Sequence, residues 1–173
     1  MHIFLIAAVT KDGFIARSQN DRSFDWTSTE DKAFYISKIK EADAVVMGST
    51  TFRTFTKYPK GKTYVILTHH PEAFVNPKPD VITTIPTNAS ALEILKDLES
   101  RGMNTIAIAG GSSVYNQFMD TGLINTLYLT QEDVEFGSGI PLFAKPFDLK
   151  PTSTTELAPK TILFEYRLRW PSI

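Results

Sequence analysis

Short apolar runs alternate with helix-forming segments along most of this chain, and this alternation restricts the fold more than any other feature. The first run, His2 to Val9, has no polar alternation, which is typical of a strand covered on both faces. We therefore predict an α/β fold: a doubly wound, mostly parallel twisted sheet with helices on both faces. Two strand-like segments at 152–156 and 161–170, separated by a turn at Pro159-Lys160, predict a C-terminal antiparallel hairpin.

Two helices are predicted from apolar residues at helical spacing. The first follows a long polar loop at 17–25 and has an apolar face made of Ala33, Phe34, Ile36 and Ile39. The second opens with a capping box at Ser90 and Glu93, and its apolar face is made of Ala91, Leu92, Leu95 and Leu98. Because no repeat or flexible linker interrupts the chain, we expect a single domain over residues 1–173.

Composition excludes several classes of function. With 18 basic and 19 acidic residues the net charge is −1 and the pI about 6.3, so the chain lacks the positive field of a nucleic-acid-binding protein. The absence of cysteine excludes disulfides, thiolate nucleophiles and Cys-ligated zinc. The longest apolar run is far too short to span a membrane, so we expect no membrane association and a cytoplasmic location.

The sequence offers few arrangements of histidine or serine that could bind zinc or act as a nucleophile. His69 and His70 are adjacent and point apart in an extended segment, while His2 lies in a strand, so no zinc site is expected. The G-x-S-x-G motif of serine hydrolases is missing. Nucleophilic catalysis is therefore not predicted.

Two glycine-containing turns follow predicted strands and precede helices, where ligands of such sheets bind. Gly110–Ser113 either is a plain turn or presents backbone N–H groups to a pyrophosphate. Gly48–Thr51 carries three hydroxyls that either cap the backbone or bind phosphate. Two such turns at neighbouring strand ends would suit the two phosphates of a dinucleotide.

Asp31 lies in the first turn of the first helix, where a carboxylate ordinarily complements the helix dipole. If it faces a cleft instead, burial raises its pKa, and it favours a ligand edge that offers paired N–H donors. Glu30 fits the same description, so the register stays open by one residue.

Five short segments, taken in order and spacing, resemble the dihydrofolate reductase superfamily. They are Ile6-Ala7-Ala8 before a loop, Trp26 five residues before Asp31, Val46-Met47-Gly48 followed by Thr51-Phe52, Ala109-Gly110-Gly111 with Tyr115, and Leu127 to Thr130. The resemblance covers nearly the whole chain. It implies the NADPH-dependent reduction of 7,8-dihydrofolate to tetrahydrofolate, a reaction of one-carbon metabolism.

The resemblance also implies roles for individual residues. Catalytic roles fall to Asp31, Thr130 and Tyr115, with Asp31 and Thr130 on the pterin edge. Substrate contacts are implied for Ala8, Trp26, Tyr35, Phe55 and Lys62. Contacts to NADPH are implied for Ala8, Ile15, Gly48, Ser49, Thr50, Thr51, Thr68, His69, Ala109, Gly110, Gly111, Ser112, Ser113 and Val114. In this family the peptide between Gly110 and Gly111 is cis, and the loop at 16–26 closes over the cofactor.

Two positions depart from the family pattern. Lys62 stands where the family uses an arginine fork for the glutamate tail of folate, and a lysine lacks bidentate geometry. Ser49 stands where many relatives carry a basic residue for the 2′-phosphate, which leaves Thr68, His69 or Arg53 as substitutes.

Segments 12–16 and 137–143 resemble the riboflavin-pathway pyrimidine reductase branch of the superfamily, so a reductase of that branch is the main alternative. A pterin- or dinucleotide-binding protein without turnover is a third. We favour dihydrofolate as substrate because Asp31 and Thr130 match a pterin edge, whereas no basic cluster for a sugar phosphate is evident. Either a monomer or a homodimer is compatible with the sequence.

Overall fold

The computed structural model describes residues 1–170. The strands are β1 (His2–Thr10), β2 (Phe14–Ala16), β3 (Ala44–Gly48), β4 (Lys62–Leu67), β5 (Ile82–Thr87), β6 (Thr105–Ile108), β7 (Thr126–Glu132), β8 (Ile140–Pro141), β9 (Ser153–Ala158) and β10 (Thr161–Arg167). The helices are α1 (Thr29–Glu41), α2 (Ser49–Thr54), α3 (Ala91–Ser100) and α4 (Ser112–Met119). The single domain predicted over 1–173 includes 171–173, which lie outside the described residues, and it stays a prediction.

One eight-stranded sheet, in the order β5-β4-β3-β6-β1-β7-β10-β9, forms the centre of the fold. The pairings from β5 to β7 are all parallel, and β10 and β9 add the antiparallel C-terminal hairpin. The predicted fold class is therefore confirmed. A second, two-stranded sheet pairs β2 with β8. It was not predicted, because strands of two or three residues carry no measurable periodicity.

Both faces of the sheet are buried under helices, as the apolar sequence of β1 requires. Ile3 and Leu5 face one core, which they share with α3 and α4. Phe4 and Ile6 face the other core, which contains Ile39 of α1 and Phe52 of α2. β1 thus lies in the middle of the molecule, and its carboxyl end opens between the two layers.

The helix starts follow their capping residues, but the predicted apolar faces need correction. The Ser90 capping box of α3 is formed as predicted. Leu92 is nevertheless 48% exposed, whereas Ile94 is buried, because α3 contacts the sheet along a stripe that excludes position 92. On α1, Ala33 and Ile36 are likewise exposed, whereas Ile39 is fully buried. Within residues 1–170, none of the helices is long and apolar enough to cross a membrane.

Candidate active site

A cavity of about 460 Å³ lies at the carboxyl ends of the central strands, between α1 and α4. This volume is in the range of small-molecule sites. Most of the residues predicted for substrate and cofactor line it, namely Ala8, Ile15, Asp31, Tyr35, Gly48, Ser49, Thr50, Thr51, Phe55, Thr68, His69, Ala109, Gly110, Gly111, Ser112, Ser113, Val114 and Tyr115. The structure therefore brings these residues together at one edge of the sheet, and their contacts with ligands stay predictions.

Asp31 enters the cavity from the first turn of α1. Ser28 is the N-cap of this helix, and its hydroxyl accepts a hydrogen bond of 3.0 Å from the Asp31 backbone N–H. The Asp31 side chain lines the cavity although the residue is only 7% exposed. Glu30, by contrast, is exposed, so the open register is decided in favour of Asp31.

The pKa of Asp31 is raised to about 6, mainly because burial removes the carboxylate from water. The nearby hydroxyl of Thr130 opposes the shift in the pKa, and the nearby negative charge of Glu132 adds to it. Thr130 itself is buried and does not line the cavity. It therefore lies behind Asp31 and contacts the carboxyl group from the sheet side.

Burial of Asp31 should cost stability at neutral pH. Because its pKa is about 6 in the folded state and 3.8 without burial, the folded state binds the proton more tightly, and the penalty is present above pH 6 and fades toward pH 4. We expect Asp31→Asn to raise the free energy of unfolding at neutral pH by up to about 3 kcal/mol. Urea denaturation at neutral pH and near pH 4 measures this, and a less stable variant at neutral pH contradicts it.

Three aromatic rings form a wall on one side of the cavity, which we call the aromatic wall: Phe24, Tyr35 and Phe55. The ring centroids of Phe24 and Tyr35 are 5.8 Å apart, and those of Phe24 and Phe55 are 5.2 Å apart, both edge to face. Tyr35 follows Asp31 by four residues and so shares its face of α1. A flat ring held by Asp31 would lie against this wall.

The opposite side of the cavity is built from the two glycine turns. The Gly48 N–H donates a hydrogen bond of 2.8 Å to the carbonyl of Gly110, so the turns are joined directly. The Gly110–Gly111 peptide is cis, as the resemblance implies. Gly111, the N-cap of α4, offers no side-chain cap, so the first N–H groups of this helix are available to an anion.

Tyr115 is part of the frame of the cavity. Its hydroxyl donates a hydrogen bond of 2.8 Å to the Ile6 carbonyl, and burial raises its pKa far above the ordinary value. A hydroxyl that is committed to a backbone carbonyl is a poor proton donor to a ligand. Its placement suits a residue that shapes the site rather than one that transfers a proton.

Two of the predicted substrate contacts do not reach the cavity. Lys62 lies at the amino end of β4, the opposite edge of the sheet, and its ammonium donates hydrogen bonds to the carbonyls of Lys40 and Ala42 at the end of α1. Its predicted contact with a folate tail is therefore wrong. Trp26 packs edge to face on Phe136 outside the cavity lining, and its buried Nε1 has no hydrogen-bond partner among residues 1–170.

Two features of the site were missed in the sequence. Glu132 is a buried carboxylate beside Asp31, and a charged residue two positions after Thr130 in an apolar strand was the available signal. Phe24 belongs to the aromatic wall, and its signal was an aromatic residue in an otherwise polar loop. No group of three or more potential metal ligands occurs in the described part of the chain.

Comparison with known proteins places this site in a family. The family model for dihydrofolate reductase matches residues 2–150. The Bacillus subtilis protein "Uncharacterized protein YwjB" is 31% identical over 147 residues, which is 80% of each chain. The match to the family model includes the strand ends and helix starts that surround the cavity.

Solved structures with the same fold come from two groups of enzymes. A deaminase/5-amino-6-(5-phosphoribosylamino)uracil reductase from Thermotoga maritima has a TM-score of 0.78 and 19% identity, and the match covers 96% of this chain and 56% of that one. A pyrimidine reductase-like protein from Corynebacterium diphtheriae has a TM-score of 0.74 and 19% identity, covering 97% and 92%. Dihydrofolate reductase from Enterococcus faecalis, complexed with NADP(H), has a TM-score of 0.66 and 19% identity, covering 96% and 95%. At these identities the likeness shows the fold alone.

Proposed function

Because this chain belongs to the dihydrofolate reductase family, we propose that it is an NADPH-dependent reductase that reduces a planar nitrogen heterocycle held by Asp31. Our first candidate substrate is the dihydropterin ring of 7,8-dihydrofolate. The observation that carries the proposal is the buried carboxyl of Asp31, which faces the cavity with a pKa of about 6. Such a group is poised to exchange a proton near neutral pH.

In this proposal the residues of the chain act mainly by positioning the substrate. The Asp31 carboxylate accepts N–H bonds from the amino and ring nitrogen edge of the heterocycle, and the Thr130 hydroxyl steadies that carboxylate from behind. The aromatic wall supports one face of the ring. Holding the ring in one orientation and excluding water account for most of the expected rate.

The residues of the glycine turns fit a dinucleotide. A Cβ at Gly110 would lie 3.3 Å from the Thr51 Cγ2. The turn can therefore pack this closely against α2 only because Gly110 has no side chain. The first N–H groups of α4 and the hydroxyls of Ser49 and Thr50 would hold phosphates. NADPH, when bound there, supplies the hydride.

A second candidate is a pyrimidine substrate, as in the riboflavin-pathway branch of the superfamily. The larger TM-scores of 0.78 and 0.74 to structures of that kind support it, as does the pairing of β2 with β8, which joins the two segments that resemble that branch. Asp31 suits this ring as well, because a pyrimidine also offers N–H donors along one edge.

The carboxylic-acid side chains that line the cavity within residues 1–170 are Asp21 and Asp31, and His69 is the histidine that lines it. We therefore expect an anionic tail to add little to binding, since no lining lysine or arginine of this described part can pair with it. A simple 7,8-dihydropterin should have a kcat/KM within about threefold of that of dihydrofolate, whereas a bidentate arginine contact would separate them by about tenfold or more.

One assay tests both the reaction and the tail. Loss of NADPH absorbance is followed with dihydrofolate, with a tail-free dihydropterin and with a ribosylaminopyrimidine phosphate, each with and without a 2,4-diaminopyrimidine inhibitor. Inhibitor-sensitive turnover of a pterin supports the first candidate, and turnover of the pyrimidine alone supports the second. The proposed function is rejected if none of the three is reduced at saturating concentrations.

A further inference from the structure

We propose that Glu132 is a positioning residue of the active site: its buried carboxylate holds the start of α1 against the sheet and so fixes where the Asp31 side chain enters the cavity. The inference rests on the proposed function in one respect, which is that Asp31 is the acid that binds substrate. Glu132 does not line the cavity, so it acts through Asp31 rather than on a ligand.

The carboxylate of Glu132 joins three elements of the fold. Glu132 ends β7 and is 5% exposed. Its Oε1 accepts a hydrogen bond of 2.7 Å from the Ser28 backbone N–H, and its Oε2 accepts one of 2.7 Å from the hydroxyl of Thr161, the buried first residue of β10. Both carboxyl oxygens act as acceptors, and each holds a different element of the fold.

The bond to Ser28 transmits this position to Asp31. Ser28 is the N-cap of α1, and its hydroxyl accepts the Asp31 N–H at 3.0 Å. A continuous path of hydrogen bonds therefore runs from Thr161 through Glu132 and Ser28 to the backbone of Asp31. Thr130 contacts the Asp31 carboxyl from the same strand, so β7 holds this residue at both its backbone and its side chain.

Burying the Glu132 carboxylate costs free energy of folding. Its two hydrogen-bond donors are a backbone N–H and a hydroxyl, both neutral, and burying a carboxylate on such partners is less favourable than burying an apolar side chain of similar size. The neighbour in sequence, Asp133, is exposed and forms an ordinary ion pair of 2.7 Å with Lys11. We therefore explain the buried carboxylate of Glu132 by its effect on the position of Asp31, the proposed substrate-binding acid.

Glu132 also acts on Asp31 through its charge. The groups that face Asp31 are Lys32 and Tyr35 from α1, Glu132 with Thr130 from β7, and Tyr115 from α4. The negative charge of Glu132 raises the pKa of Asp31, while the positive charge of Lys32 lowers it. Removing the charge of Glu132 without removing its shape should therefore lower the pKa of Asp31.

The test uses Glu132→Gln, which keeps an acceptor for Ser28, and Asp133→Asn, which removes one carboxylate from the adjacent exposed position. The Asp31 carboxyl is titrated by ¹³C NMR in protein labelled at the aspartate carboxyl carbon, with its resonance assigned from Asp31→Asn. We expect the titration midpoint of Asp31 to move to lower pH in Glu132→Gln and to stay in place in Asp133→Asn. An unmoved midpoint in Glu132→Gln, or an equal shift in both variants, overturns the proposal.

A second variant tests positioning by geometry. Glu132→Ala removes both hydrogen bonds, and we expect kcat to fall by about tenfold or more while the Kd for NADPH changes less than about threefold. Glu132→Gln should retain most of kcat because it keeps the bond to Ser28. Equal kcat in the Ala and wild-type proteins contradicts the proposal, and if the Ala variant does not fold, Glu132→Met, which also lacks both acceptors but fills the same space, takes its place. The titration needs no substrate, so its outcome is independent of whether the proposed reaction occurs.

Discussion

Replacing Asp31 by asparagine should lower kcat/KM by about a hundredfold to ten-thousandfold, the range expected when a positioned acid–base group is lost. The asparagine amide turns an N–H donor toward a substrate edge that also offers donors, and it carries no charge to hold that edge. In the proposed arrangement the Asp31 side chain contacts the substrate, whereas the glycine turns hold the cofactor. The Kd for NADPH, measured by quenching of tryptophan fluorescence, should therefore change by less than about threefold.

Glu30→Gln is the matched control for this prediction, because Glu30 precedes Asp31 in the same helical turn and is exposed. It should leave turnover unchanged. An equal loss in both variants would mean that the charge of the helix start, and not contact with substrate, is what matters.

Replacing Gly110 by alanine should weaken NADPH binding by about tenfold or more, a cost of at least about 1.4 kcal/mol. The backbone φ of Gly110 is +119°, in the region that only glycine occupies readily, and a Cβ there would be 3.3 Å from the Thr51 Cγ2 and 3.4 Å from the Tyr115 hydroxyl. The side chain would press on Thr51 and Tyr115, which also line the cavity, and we expect this to shift the turn and its N–H groups away from a phosphate. Fluorescence titration of NADPH measures the effect.

Gly102→Ala separates this loss from simple backbone strain. Gly102 has a φ of +77°, follows α3 and has no atoms near its added Cβ, so the substitution carries strain without touching the cavity. Both variants should lose about 1–2 kcal/mol of stability, but only Gly110→Ala should lose affinity for NADPH. Equal weakening of binding in Gly102→Ala would trace the effect to strain.

Much of the fold and half of the site follow from local sequence rules. The continuous apolar run of β1 predicts a strand with both faces covered, and the strand lies in the middle of the sheet between two cores. Capping residues predict where α1 and α3 begin. Because parallel strands end at one edge of the sheet, the residues after β1, β3, β4 and β6 could be grouped into one cavity before any contact was known.

What could not be predicted depends on partners distant in the sequence. The family pattern assigns Lys62 to a contact with the substrate tail. The loop before Lys62, however, returns the chain to the opposite edge of the sheet, where its ammonium group donates hydrogen bonds to carbonyl groups at the end of α1. In the sequence, Glu132 is 104 positions from Ser28 and 29 positions from Thr161. No local sequence pattern therefore predicts the hydrogen bonds that join these residues. The aromatic wall could not be predicted for the same reason. Phe24 comes from the long loop, Tyr35 from α1 and Phe55 from the end of α2, so its members are distant in the sequence.

The short sheet of β2 and β8 fixes the base of the long loop beside the cavity. Ala16 is paired with Ile140 at the base of the long loop, and the Asp12 carboxylate accepts hydrogen bonds from the N–H groups of Phe136 and Gly137, so this base is tied to the body of the protein. Between it and the 3-10 turn at Ser23–Asp25 lie only residues 17–22, a stretch that reaches about 20 Å when extended. If the cavity binds its ligand as proposed, we expect that ligand to be released by a local opening of this stretch, without any separation of the helical layers.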